Sequence, residues 1–319
     1  MNLKRRAAFW VLAALLSAQV GAQQSYPDRP VRLVVPYAPG GPTDIIARLL
    51  SDKLSDLWKQ PVVVENRAGA SGNVGSAQVA RSAPDGYTVL INTSSVAVNA
   101  SLYANAGYNL EKDLVGVANV ANSPNVIVAG ASLRARHLRE GLEAAKSGKM
   151  SYGSPGTGTT PHLSAVMLSQ MAGIQMLEVP YKSSAQMTTD AIGGQFELMF
   201  HNAPVVLPHI KAGKLKALAV TTGQRSNALP EIAAMSETLK GFEIDTWWGL
   251  VAPAATPRDV VDRLNKAFTA ALQTPETKSR FAMLMAEPVG NTPDQFGAFM
   301  KKELARYESV VKASGAKVD

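Results

Sequence analysis

Hydrophobic positions along the chain follow two periods in turn. Val31, Leu33, Val34 and Val35 form a short, mostly β-branched run that predicts a strand, while Ile45, Ile46, Leu49, Leu50, Leu54 and Leu57 recur on one broad stripe that predicts a helix. The alternation continues through PVVVENR, YTVLINT, LVGVANVANSPNVIVAG, MSYGS, MLEVPY, FELMFHN and LKALAVTT, with helical patterns such as HLREGLEAAKSG and TPHLSAVMLSQMAG between them. Strands that alternate with helices in this way predict βαβ units and parallel sheets. The C-terminal part departs from the pattern. PRDVVDRLNKAFTAALQT, PETKSRFAMLM and DQFGAFMKKELARYESVVKAS are helical with little strand between them, and a helical tail of that length needs a sheet to cover.

Two of the strand-to-helix turns share a chemistry. In VVPYAPGGPTDIIARLL, Gly40 and Gly41 leave the turn without Cβ atoms, and Pro42 with Thr43 or Asp44 signals a helix start. SYGSPGTGTTPHLSAVML, from Ser151 to Leu168, repeats the combination of Gly, Pro and hydroxyl residues ahead of an amphipathic helix. The first amides of a helix have no intrahelical partner and carry partial positive charge, so such a turn can hold an anion. An ordinary tight βα loop would read the same way. Ligands in open α/β sheets lie at the carboxyl ends of strands, where both turns fall, and one turn in each half of the chain allows them to face each other across a cleft.

The start of the chain changes the setting. Lys4, Arg5 and Arg6 precede an apolar run from Ala7 to Val20 that ends in Val-Gly-Ala, which reads as a signal peptide cleaved after Ala22. No second long apolar segment follows, so a soluble, exported, periplasmic protein is expected. The sequence holds no cysteine, which excludes a disulfide framework, a lipid-modified N-terminal Cys and a thiol nucleophile. The formal net charge of +7 includes those three basic residues, leaving (32 − 3) − 25 = +4 for the mature chain. Its Lys and Arg are scattered, which argues against nucleic acid; the balance suits a small anionic ligand or simply a solubility charge. The mature length, 319 − 22 = 297 residues, fits one large or two medium domains, with two preferred.

Motifs for catalysis are weak. GTGTT at Gly156 to Thr160 resembles the start of a dinucleotide fingerprint, but Pro161 stands where the third glycine belongs. His137, His162, His201 and His209 lack cysteine partners and helix-face pairing, so no metal or other cofactor is expected. A hydrolase built from isolated Ser and His residues is the remaining enzymatic alternative. The adjacent Trp247 and Trp248 open a strand-like segment, and alternation places them on opposite faces.

Taken in order, YPDRPVRLVVPYAPGG-TDIIARLL, QPVVVENRAGASGNVG, APDGYTVL, the Gly/Ser/Thr turn before HL, VPYK, GGQFELMF, PHIKAGKLKALAV and AEPVG-TPDQF resemble the Bug family, the solute receptors of tripartite tricarboxylate transporters. The resemblance runs from about Tyr26 to the C-terminus. It implies a two-lobed α/β fold of the type II periplasmic binding protein kind, a monomer with its ligand in the interlobe cleft. The cargo would be a small carboxylate, delivered to the membrane permease subunits of a tripartite transporter. The same shell could instead report to a membrane sensor protein. On the type II plan, lobe 1 comprises residues 26–123 plus 247–319 and lobe 2 residues 124–246, with hinges near Ser123-Pro124 and Asp245-Thr246.

Carried onto this chain, the first turn contributes Tyr37, Ala38, Pro39, Gly40, Gly41, Thr43 and Asp44, and the second contributes Ser154, Gly156, Thr157, Gly158, Thr159, Thr160 and His162. Candidate walls are Asn92, Thr93, Ser94, Tyr181 and Trp248, with Tyr37 again. His162, near a helix start, is expected to be a neutral donor or a cap. His201, followed by Asn202, stands where the family commonly carries Asp. At the exit of its strand it either faces the cleft, favours an anion and becomes protonated as pH falls, so that affinity rises from about pH 8 to 6, or is satisfied against the neighbouring loop without touching the ligand.

Overall fold

The computed structural model describes residues 26–148 and 150–314, and the expected signal peptide lies outside them. The first half of the chain builds a βαβ series. Strand β1 (Val31–Val35) leads through helix α1 (Pro42–Trp58) to β2 (Val62–Asn66), then α2 (Asn73–Ala80) and β3 (Thr88–Thr93). Helices α3 (Ser95–Leu102) and α4 (Leu110–Asp113) follow, and β4 (Leu114–Ala129) is a single strand of 16 residues. Beyond it come α5 (Leu138–Ser147), β5 (Met150–Ser154), α6 (Thr160–Ala172), β6 (Met176–Pro180), α7 (Ser184–Ile192), β7 (Leu198–Asn202), α8 (Ala203–Lys211) and β8 (Lys216–Val220). The return strand β9 (Asp245–Pro253) precedes α9 (Arg258–Gln273), α10 (Pro275–Met283), the short β10 (Glu287–Pro288) and α11 (Pro293–Ser314).

The strands form two sheets, one in each lobe, joined through β4. One runs β2-β1-β3-β9-β4 with β10 on the far edge of β4, and the other runs β4-β7-β5-β6 with β8 also on β4. Strand β4 changes partners along its length: Leu114 to Pro124 pair with β9, and from Asn125 onward the strand pairs with β7 and β8. The expected parallel pairing holds between β1, β2 and β3 and between β5, β6 and β7. Strands β4 and β9 are antiparallel, because one carries the chain from the first sheet to the second and the other carries it back.

The alternation of the two tryptophans is realised. Both rings are buried, Trp247 with Phe296 on one face of β9 and Trp248 with Ile46, Leu50 and Leu264 on the other. The stripe of α1 seats Ile46, Leu50 and Leu54 in that second cluster beside Val261, Leu264 and Phe268 of α9, whereas Leu57 at its end is exposed. Each such side chain contributes roughly 1.5–3 kcal/mol by leaving water. The C-terminal helices therefore cover the first sheet. Helix α11 buries Phe296, Met300 and Tyr307, receives the Trp247 indole bond on Glu303 Oε2 at 3.0 Å, and also touches α6 of the second lobe.

Candidate ligand site

A cavity of about 660 Å³ lies where the two sheets meet. Its first wall is the turn after β1. Gly40 has φ +77° there, and its amide donates to Asp44 Oδ2 at 2.9 Å. Arg48 Nε donates to the same oxygen at 2.9 Å, and Asn66 Nδ2 to Oδ1 at 2.9 Å. Burial raises the Asp44 pKa, but these bonds outweigh it and hold the carboxyl below its ordinary value. Asp44 thus pins the turn from behind. The cavity face is formed by Tyr37, Ala38, Pro39, Gly41 and Thr43. Gly41 caps α1 without a side chain and Pro42 occupies the first turn, so the early amides of the helix have no side-chain acceptor of their own.

The second wall is the turn after β5. Gly156, at φ +103°, donates its amide to Ser154 Oγ, whose own proton goes to Glu178 Oε1 at 2.6 Å. Thr159 caps α6 by accepting from the His162 amide and lines the cavity together with Gly156 and Thr160. Segment 180–184 supplies a third wall through Tyr181, Lys182 and Ser184. The floor is a buried polar network. Asn202 Nδ2 donates to Asn125 Oδ1 at 2.8 Å and to Thr246 Oγ1 at 2.6 Å, Thr246 Oγ1 also bonds Asn125 Oδ1 at 3.0 Å, and Thr160 Oγ1 meets Thr246 Oγ1. Strands β4, β7 and β9 and helix α6 converge there.

Several expected residues stand behind the walls instead of in them. Trp248 is fully buried, and its indole donates to Thr43 Oγ1 at 3.1 Å, so it supports the first turn from the core. Asn92 accepts from the Tyr37 hydroxyl at 2.9 Å and donates to Ser76, which orients the Tyr37 ring. Ser94 is buried, with its amide on Trp247 O. Ser154 and Asp44 are consumed in bracing their turns, and Gly40 with them. Gly158 faces Leu102 and Asn99, and the Thr157 carbonyl accepts from Ser71 Oγ at 2.6 Å. The His162 ring is buried 3.5 Å from Glu178; burial lowers its pKa and Glu178 opposes the shift, which agrees with a neutral ring.

His201 does reach the cavity wall, but not as a titrating group. It is fully buried, its Nδ1 accepts from the Asn202 amide at 2.8 Å and its Nε2 lies 2.9 Å from Ser184 Oγ. Burial pushes its pKa down to about 3, against a weaker raising influence of the Asn202 bond. The expectation of protonation between pH 8 and 6 is therefore corrected.

Other wall residues were not among the expected ones. Ala68 to Gly72 close one side, with Ala70 and Ser71 at φ +45° and +51°. A Cβ on Gly72 would stand 3.0 Å from the Tyr37 hydroxyl, which explains glycine at that point. Ser71 O accepts from Asn99 and its Oγ bonds Thr157 O of the other lobe, so this loop bridges the cleft. Ser95, Thr246 and Ser184 also line it, as do the expected Thr93 and several prolines. Among the described residues lining the cavity, Lys182 is the sole charged side chain, and it is exposed.

The profile of the tripartite tricarboxylate transporter family receptor matches residues 46–316. Protein BugT of Bordetella pertussis is 36% identical over the whole of both chains. Among solved structures, R. palustris Rpa4515 with adipate is 34% identical, covering 92% of this chain and 100% of the other with a TM-score of 0.89. MatC from Rhodopseudomonas palustris with bound malate is 28% identical, covering 90% and 100%, with a TM-score of 0.84. With a family profile spanning most of its length and a relative alignable from end to end, the chain belongs to the tripartite tricarboxylate transporter receptor family.

Proposed function

We propose that the protein is a periplasmic receptor that captures a small carboxylate between its lobes and passes it to the permease subunits of a tripartite transporter. The observation that carries this reading is the convergence of two helix N-termini, one from each lobe, on a cavity without an acidic side chain in its wall. One carboxylate at a helix N-terminus gains roughly 0.3–2 kcal/mol, too little by itself for the about 8 kcal/mol of micromolar binding. Both turns and exclusion of water on closure are needed, since charge-assisted bonds are about twice as strong as neutral ones.

Lobe 1 comprises residues 26–123 plus 247–319 and lobe 2 residues 124–246. Supporting this division, β4 exchanges β9 for β7 and β8 between Pro124 and Asn125, opposite Asp245 and Thr246 of β9. Rotation there opens the cleft, and the Ser71–Thr157 bond closes it. Tyr37, Ala38, Gly41, Thr43, Gly156, Thr159 and Thr160 meet the ligand, with the network on Thr246 as the floor. Adipate and malate occupy related proteins, so small aliphatic diacids are the first candidates. A thermal-shift screen of organic acids, amines and neutral sugars on the purified chain tests the reading. Carboxylates should give the largest shifts; shifts from amines or sugars with none from any carboxylate would refute it.

A further inference from the structure

Ser184 and His201 form a hydrogen-bonded pair on the cavity wall, and the direction of the bond between them is fixed by a third group. The Asn202 backbone N–H can only donate, so His201 Nδ1, 2.8 Å away, must be its unprotonated acceptor. A neutral imidazole then carries its proton on Nε2, which faces Ser184 Oγ at 2.9 Å. Nε2–H donates and the serine oxygen accepts. The opposite tautomer would bring two N–H groups together at Asn202.

We propose that His201 is a positioning residue that keeps the Ser184 hydroxyl proton free to donate to a ligand carboxylate in the cleft. Ser184 is the first residue of α7, and its Oγ lies 3.9 Å from the place a Cβ would occupy on Gly41, so it reaches across the cleft to the first turn. Among the described residues that hydroxyl has no acceptor for its proton. A ligand lacking an acceptor there would leave the hydroxyl unpaired on closure, which disfavours it. The pair also cannot act as a nucleophile and base, because Nε2 holds a proton where a general base needs a lone pair. The inference rests on the carboxylate reading of the cleft but adds the residue pair that discriminates.

Burial pushes the His201 pKa to about 3, so the arrangement persists through the neutral range. The other titratable groups on this cavity wall are Tyr181 and Lys182 on the same segment and Tyr37 across the cleft, with His162 and Glu178 behind the second turn.

Long-range proton–nitrogen NMR of the full chain labelled with nitrogen-15 histidine reads the tautomer directly, with His201→Gln assigning the signals. A protonated Nε2 and bare Nδ1, unchanged from pH 5.5 to 8, is the expected result. An Nδ1–H tautomer, or titration near the ordinary histidine value, would overturn the inference. Because no ligand is present, failure here leaves the receptor reading intact, and failure of the acid screen leaves this measurement intact. Calorimetry with adipate then tests the consequence. His201→Phe, which fills the volume without a donor, should weaken binding about tenfold, as should Ser184→Ala, while His201→Gln, whose amide still donates, should retain most of the affinity. Equal affinity of the Ser184→Ala variant and the parent, or of the Phe and Gln variants, would show that the pair serves packing alone.

Discussion

Replacing Gly41 by Asp separates folding from binding. Gly41 sits at φ −78° and ψ 171°, an extended conformation open to any residue. A Cβ would lie 3.4 Å from Ala38 O and 3.9 Å from Ser184 Oγ, ordinary contacts, so sterics do not oppose the substitution. Asp is moreover a preferred N-cap, and replacing the bare Gly cap should stabilise the helix by a few tenths of a kcal/mol, roughly. The same event abolishes the site. The new carboxylate accepts from the amides proposed for the ligand and adds a negative charge roughly 5 Å from the bound carboxylate. At an effective dielectric of about 20 this repulsion is roughly 3 kcal/mol, or about two orders of magnitude in Kd. Gly41→Ala, with the Cβ and no charge, should bind within about threefold of the parent. Calorimetry with adipate, paired with thermal melts, gives both numbers. A Gly41→Asp protein that melts normally and binds adipate with unchanged affinity would refute the assignment of the first turn.

Two further outcomes follow from named contacts. His201 has its folded pKa lowered from 6.5 to about 3, so below about pH 6.5 the unfolded chain takes up a proton that the folded one refuses, and stability falls with pH. From pH 7 to 5 the loss is about 2 kcal/mol, measurable by urea unfolding, and His201→Gln should remove that slope; an identical pH dependence in the variant would contradict a buried neutral histidine. Ser71→Ala deletes the bond to Thr157 O across the cleft, worth about 1 kcal/mol net, and should speed adipate release about fivefold in stopped-flow measurements; an unaltered release rate would mean that the contact does not hold the lobes together.

Local chemistry was legible in the sequence, and long-range arrival was not. The turns at Tyr37–Thr43 and Ser154–Thr160 are announced by Gly, Pro and the change from strand to helix period, and both lie where β1 and β5 end. The two tryptophans obey alternation and divide between the faces of β9. By contrast, LVGVANVANSPNVIVAG reads as one strand and is one, but its exchange of β9 for β7 and β8 after Pro124 depends on strands distant in sequence. Loop Ala68–Gly72 has no hydrophobic period to mark it, and its place on the cavity follows from contacts with Asn99 and Thr157, distant in sequence. The sequence leaves His201 open between a cleft-facing imidazole that gains a proton and one satisfied by its neighbours. What fixes it is the amide of the very next residue, a bond that depends on the chain's bend at the end of β7 and not on residue type.

The near absence of charge from the cavity wall bears on how cargo leaves. A receptor that gripped an anion with a buried arginine would strand that cation in a dry cleft at the moment of hand-over, at a cost of several kcal/mol. In the proposed site the attraction would come from helix amides and hydroxyls, and among the described wall residues the single cation, Lys182, already stands in solvent. On that proposal, when the lobes part, water can occupy the amides as readily as a carboxylate would. The emptied protein would then be electrostatically relaxed, so docking to the proposed permease would need to supply only the opening of the cleft, and the return to the searching state would not be held back by an unpaired charge.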